Sequence, residues 1–359
     1  MGGRFESHGQ KTANRQMMRA IVFPALRACL SPFLVLAAAT VWAQTPFQFP
    51  TANHALYEPG QELRFFAPTT PGRSWTSGGF GCVRDNGQRM HEGLDILHLQ
   101  TDRRGEPTDP VMATADGTVM YFSTHPGLSN YGNYLVIRHV VEGLEIYSLY
   151  AHLSAIRPGL KIGEAVRAGE MVATMGRTSS AETIGKWRAH VHFELNVFVN
   201  DRFATWFRQS SPGERNDHGE WNGQNLNGLD PRLILLGEKT DGAKFSLLNF
   251  LRSQTEVCRV LVRATNFPYL KRYPELVLSN PVAEKQGIAG YEVALNYNGV
   301  AFALMPRAAS EMKGRGKFQL LSVNEAEQEA NPCRHLVVKR GSHWQLGNEG
   351  LRELELLTY

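Results

Sequence analysis

Five side chains able to bind a metal ion and move protons stand in three segments of this 359-residue chain. The first segment reads His91-Glu92-Gly93-Leu94-Asp95, an imidazole and a carboxylate four positions apart. Residues an even number apart along a strand face the same way, so this spacing can aim both at one ion. Another reads His190-Val191-His192 at the head of an alternating run. There a period of two puts both imidazoles on one face, with Val191 and Phe193 on the other. A catalytic zinc site takes three protein donors and keeps one position open, and imidazole nitrogen and carboxylate oxygen are suitable donors. His91, Asp95 and one histidine of the pair complete such a set. Neither signal is strong alone; together, from two distant segments, they are informative. A helical His-Glu-x-x-His motif is excluded because position 95 is Asp, so Glu92 is not expected to be that motif's base. Proton handling then falls to His152, in Tyr150-Ala151-His152-Leu153-Ser154, working opposite the histidine of the pair that is not a ligand.

Short β-type runs must bring these segments together. Gly117 to Phe122, Tyr134 to His139, Glu145 to Tyr150 and His190 to Val199 are each bounded by Gly, Asn or Pro, and helical patterns between them are few. This predicts a mainly antiparallel β core over residues 76–238. Residues 44–75, rich in Pro, Thr and Gly, read as an extended lead-in that wraps the core. Gly237 to Gly242 is polar and turn-rich between two apolar segments, which predicts a domain boundary there. Residues 239–359 then form a smaller β-rich or α+β C-terminal domain of unknown function. Within it, Phe245 to Leu251 reads as a short helix and Val257 to Val262 as a strand. Tyr291 to Met305 reads as a hairpin in which Asn298-Gly299 supplies two positive-φ positions, and Leu336 to Leu346 as another turning at Gly341.

Residues 1–43 are expected to be an N-terminal extension and signal peptide. Arg19 and Arg27 form its basic part, Phe33 to Ala39 its apolar run and Val41-Trp42-Ala43 its cleavage site, so the mature chain begins at Gln44. The uninterrupted apolar stretch is shorter than the roughly 20 residues a membrane span needs. The chain's formal charge is +4, and residues 1–43 hold five Lys/Arg against one Asp/Glu, the whole of that excess. The mature chain is formally neutral, which leaves no electrostatic case for a nucleic-acid partner. Cys29 lies in the signal. In an oxidising compartment Cys258 and Cys333 are candidates to pair, with Cys82 left as a lone thiol, although spacing does not fix the pairing.

The motifs taken in order resemble the lysostaphin-like or LytM-type metallopeptidases, also called beta-lytic metallopeptidases. The resemblance covers roughly residues 76–235. It rests on His91-x-Gly93-x-Asp95-Ile96, Pro110-Val111 with Ala113, Ala115-Asp116-Gly117-Thr118-Val119, Gly132-Asn133-Tyr134 running into Val136-Ile137-x-His139, Tyr150 to Ser154, and His190-Val191-His192-Phe193-Glu194. It implies that His91, Asp95 and His192 bind one Zn²⁺ per chain, and that His152 and His190 flank the attacking water as catalytic residues. Arg84 matches a position the family often fills with Arg. Glu194 is expected to support a ligand rather than be one. Where the family commonly has a Gly-rich approach to its second His, this chain has Gly185-Lys186-Trp187-Arg188-Ala189. The function implied is an exported, periplasmic or extracellular zinc metalloendopeptidase that hydrolyses amide bonds in peptidoglycan stem peptides or cross-links. The alternative is a LytM-type binding module that activates another cell-wall hydrolase; such members usually lack some zinc ligands. The remaining histidines, His139 among them, are expected to be structural.

Overall fold

The longest strands coincide with the densest runs of β-branched and aromatic residues, Tyr134–Val141 and Leu144–Ala151, joined by Glu142-Gly143 with φ of +52° and +84°. Two positive-φ residues make the tight turn whose twist matches that of its strands. The computed structural model describes residues 47–69 and 74–359. The signal peptide and its cleavage site lie outside the described residues. Among those described, no helix is long and apolar enough to cross a membrane.

Among the described residues, eighteen strands follow in order. The first four are β1 (Gly81–Arg84), β2 (Arg89–His91), β3 (Leu94–Leu97) and β4 (Pro110–Met112). Next come β5 (Gly117–Ser123), β6 (Tyr134–Val141), β7 (Leu144–Ala151), β8 (Ala155–Ile156), β9 (Ala165–Val166) and β10 (Met171–Thr174). β11 (His190–Phe198) and β12 (Leu226–Leu229) complete the main sheet, whose order is β12-β11-β7-β6-β5-β9, with β3 also on β11. β3 pairs with residues 190–193 of β11 and β12 with residues 195–198, so the two lie end to end along one edge. A smaller sheet runs β4-β10-β8. The C-terminal strands are β13 (Cys258–Val262), β14 (Gly290–Leu295), β15 (Ala301–Arg307), β16 (Phe318–Val323), β17 (Val337–Arg340) and β18 (His343–Leu346). They form a sheet of order β15-β14-β13-β16 and the hairpin β17–β18. All pairings between these strands are antiparallel, so the fold is mainly antiparallel β.

One apolar cluster runs from Phe47, Phe65 and Phe66 in the lead-in, through Leu135, Tyr150 and Phe193 of the main sheet, to Val260, Val293 and Leu354 near the C-terminus. The lead-in also touches the strand carrying Asp95, since the Ala67 amide donates to the Asp95 carbonyl at 2.9 Å. The opposite face of the main sheet carries a second cluster, including Val136, Leu149, Ala151 and Leu226.

Three expectations change. The Gly237–Gly242 stretch is not a turn but closes the helix Pro231–Asp241, which is capped by the Asp230 side chain and ended by Gly242 at φ +55°. Ile234, Leu235 and Glu238 face inward at helical spacing, and the polar residues occupy the outer face. In the β14–β15 turn Gly299 has positive φ and Asn298 does not. The Gly299 amide donates to the Asn296 carbonyl, which makes a three-residue loop rather than a two-residue one. Finally, Cys82 pairs with Cys333, while Cys258 is a buried thiol in β13. Sequence distance hid this bond: 251 residues separate partners that the packing of β1–β2 against the Pro332–Arg334 turn brings together.

Candidate metal centre

His91 ends β2 and Asp95 sits in β3, so the two are not on one strand, as even spacing suggested. They converge because the chain bends at Glu92-Gly93 and β3 then pairs with β11, placing Asp95 opposite His192. The bend needs glycine, since a Cβ at Gly93 would lie 2.3 Å from the Phe193 carbonyl oxygen. On the other side of β11, His192 lies opposite Ala151 of β7, which puts His152 beside the pair. His152 has φ +61°, a left-handed conformation uncommon for non-glycine residues. Its amide is held by the Tyr131 carbonyl at 2.8 Å.

Three donor atoms meet at one point. His91 Nε2 is 3.1 Å from Asp95 Oδ1 and 3.1 Å from His192 Nδ1, and the latter two are 3.0 Å apart. Donors about 2.0 Å from a tetrahedral zinc lie about 3.3 Å from one another, so the triangle has the size of a zinc face. Among the described residues, these three form the group of histidine, cysteine and carboxylate side chains close enough to share an ion. Each ring's other nitrogen is held. His91 Nδ1 donates to the Gly79 carbonyl at 2.6 Å, and His192 Nε2 donates to Glu194 Oε1 at 2.8 Å. Those bonds leave a lone pair on the converging nitrogen in each neutral ring. Glu194 is fully buried, accepts a further bond from the Tyr131 hydroxyl at 2.8 Å and another from Asn196 Nδ2 at 2.9 Å.

His152 and His190 complete the wall, their ring centres 4.9 Å apart. His152 Nδ1 donates to the Thr178 carbonyl at 2.8 Å and His190 Nδ1 to the Arg188 carbonyl at 2.6 Å, which leaves Nε2 of each as the acceptor. His190 Nε2 lies 3.4 Å from Asp95 Oδ1. Burial lowers His190 to about 4. Burial, reinforced by His190 and His192, holds His152 well below the ordinary histidine range, so both are neutral bases near pH 7. Burial alone would also lower His192, but its bonds to Asp95 and Glu194 outweigh that and raise it to about 10. Burial alone would raise Asp95; the charges of His190, His91 and Arg84 overcome it and hold the carboxyl well below the usual range. Arg84 Nη2 reaches Asp95 Oδ2 at 2.5 Å, so the carboxylate is gripped on the side away from the histidines.

The five expected residues are thus together, in the wall of a cavity of about 1030 Å³. Sequence reasoning missed Tyr131, whose hydroxyl steadies Glu194; nothing in its local motif marked it. His139, expected to be structural, lies outside this group of five. It is buried between the Asp116 carbonyl and the Ser148 hydroxyl, and burial lowers it to about 4.

Residues 89–203 match the family described as Peptidase family M23. Lipoprotein NlpD of Yersinia enterocolitica is 33% identical over 94 residues, which cover 84% of that protein and 26% of this chain. The chain belongs to peptidase family M23. Another M23-region relative is the murein hydrolase activator NlpD of Salmonella typhimurium, 34% identical over 105 residues; the match spans 29% of this chain and 22% of the relative's length. Two solved structures are similar to the M23 chain locally. A zinc-containing peptidase from Vibrio cholerae is 27% identical over 42% of this chain and 37% of its own, with a TM-score of 0.28. The catalytic domain of the antimicrobial peptidase lysostaphin from Staphylococcus simulans is 19% identical over 48% and 89%, with a TM-score of 0.26.

Proposed function

We propose that this chain is an exported zinc metalloendopeptidase that hydrolyses amide bonds in peptidoglycan stem peptides or cross-links, acting in the periplasm or outside the cell. The observation that carries the reading is the convergence of His91 Nε2, Asp95 Oδ1 and His192 Nδ1, with His152 and His190 in the same cavity wall. Two imidazoles and one carboxylate, closed by Glu194 and Arg84 behind them, suit zinc with a position left for substrate or water. A bound zinc would polarise the scissile carbonyl and bring the attacking water's pKa toward neutrality. The chain's own residues do the rest. His190, with its proton fixed on Nδ1 by the Arg188 carbonyl, presents Nε2 to accept a proton from the water. His152, fixed the same way by Thr178, presents its Nε2 across the cavity to orient that water, and His190, now carrying the water's proton on Nε2, can return it to the departing amine.

A second reading, favoured by the names of the NlpD relatives, makes the domain a module that binds peptidoglycan and activates another hydrolase. The two readings separate by mutation. As an enzyme, the chain should lose both zinc and turnover in Asp95→Ala and His192→Ala. His152→Ala should keep zinc and lose most of the rate, on the order of 10²-fold or more for a general acid–base residue. Equal zinc content and equal effect in all three variants would overturn the enzyme reading.

A further inference from the structure

The turn Lys186–Arg188 sets a guanidinium into the wall of the cavity two residues before His190. The Arg188 side chain is 7% exposed. Its Nε has no hydrogen-bond partner, and its Nη1 has one distant partner, Glu182 Oε2 at 3.3 Å. A guanidinium offers five N–H donors, and leaving them unmade while buried is costly. Of the other guanidiniums of the wall, Arg84 is already committed to Asp95 at 2.5 Å and Arg89 to Asp85 at 2.8 Å. Glu182 is no fixed counterion. Its side chain is 52% exposed, and as a carboxylate it stands where another carboxylate would bind. Arginine recognises carboxylates through paired N–H···O bonds, so an exchangeable partner on a buried, under-bonded guanidinium describes a carboxylate subsite.

We infer that Arg188 is a specificity-determining residue that binds a free carboxylate of the peptide substrate close to the scissile amide, displacing Glu182. The inference rests on the peptidase reading for the word substrate, but the binding preference stands apart from turnover. Because the Arg188 carbonyl holds His190 and its side chain faces the same cavity, the carboxylate would be read beside the reacting bond.

The test uses a cross-linked stem-peptide dimer with free carboxylates and the same dimer with those carboxylates amidated. Affinity is measured by calorimetry on the zinc-loaded full chain, and kcat/KM by chromatography. The wild type should prefer the free carboxylates by about 10- to 100-fold in both readouts, the range expected when one charged hydrogen-bonded pair is lost. Arg188→Gln should bring the two ligands within about threefold by weakening the carboxylate form alone, and Arg188→Lys should restore part of the preference. Glu182→Gln, at an exposed position, should tighten the carboxylate dimer several-fold. Unchanged preference in Arg188→Gln, equal weakening of both ligands, or no gain in Glu182→Gln would each overturn the assignment. Preference in binding without cleavage of either dimer would sink the peptidase reading and leave the carboxylate subsite standing.

Discussion

Replacing Glu194 by glutamine probes how firmly His192, the proposed ligand, is prepared. Glu194 is fully buried and accepts the His192 Nε2 proton at 2.8 Å, so that when the ring gives up its second proton to a metal the lone pair is on Nδ1. Glutamine keeps the shape and one acceptor oxygen but removes the negative charge that makes the imidazole a better donor. It also lets the amide turn an N–H toward Nε2, where the other tautomer would be favoured and Nδ1 would carry a proton. Loss of such a partner behind a ligand costs 10- to 100-fold in metal affinity, or about 1.4–2.7 kcal/mol. Alanine is a poorer probe, because it would strand the Tyr131 hydroxyl and Asn196 amide that also bond to Glu194. Competition with a chromophoric chelator gives the zinc dissociation constant directly. A thermal melt at fixed free zinc gives the same quantity independently, since the stabilisation by a ligand falls by RT ln of the affinity ratio. A Glu194→Gln chain that folds, binds zinc within twofold of wild type and melts with the same zinc-induced shift would refute the reasoning about His192.

Three further outcomes are expected. Metal-free His192 is held protonated to about pH 10 between Asp95 and Glu194, so zinc must displace a proton from Nδ1. Calorimetry near pH 7 in buffers of different ionisation enthalpy should show about one proton released per ion from this residue, and none would contradict the assignment. Burial raises the Glu238 carboxyl to about 8 against an ordinary 4.5, so its folded form holds the proton more tightly than the unfolded chain does. Its contribution is complete below about pH 4.5 and is lost as pH rises through 8; in denaturant titration Glu238→Gln should therefore be more stable than wild type at pH 9, by about 1–4 kcal/mol, and equal to it at pH 4. Reducing the Cys82–Cys333 bond, or replacing both cysteines by serine, should lower stability by about 2–4 kcal/mol in denaturant titration. No change would mean that the bond does not restrain the unfolded chain.

The strands were legible because their alternation is local: β5, β6, β7 and β11 lie within a few residues of the runs read from the sequence. The site was legible for a partly different reason than the one first advanced. His190 and His192 do share a face of one strand, but His91 and Asp95 face together because β3 is registered against β11, a long-range fact that even spacing matched by coincidence. Three features stayed hidden. Polar residues over 237–242 resembled a turn because the outer face of a surface helix is polar too, and Gly237 sits inside it. The cysteine pairing depends on which hairpin packs against the C-terminal segment, and nothing local to Cys82 or Cys333 encodes that. Arg84 was singled out only by its match to the family, and its grip on Asp95 needed the β1–β2 hairpin to fold back beside β3.

The most direct test is mass spectrometry of soluble fragments released when purified peptidoglycan is incubated with the zinc-loaded chain and, in parallel, with Asp95→Ala. The account predicts new peptide termini, with the mass of one water added per cut bond, from the wild type and none from the variant. Intact stem peptides and cross-links after prolonged incubation with a zinc-replete wild-type chain would contradict it.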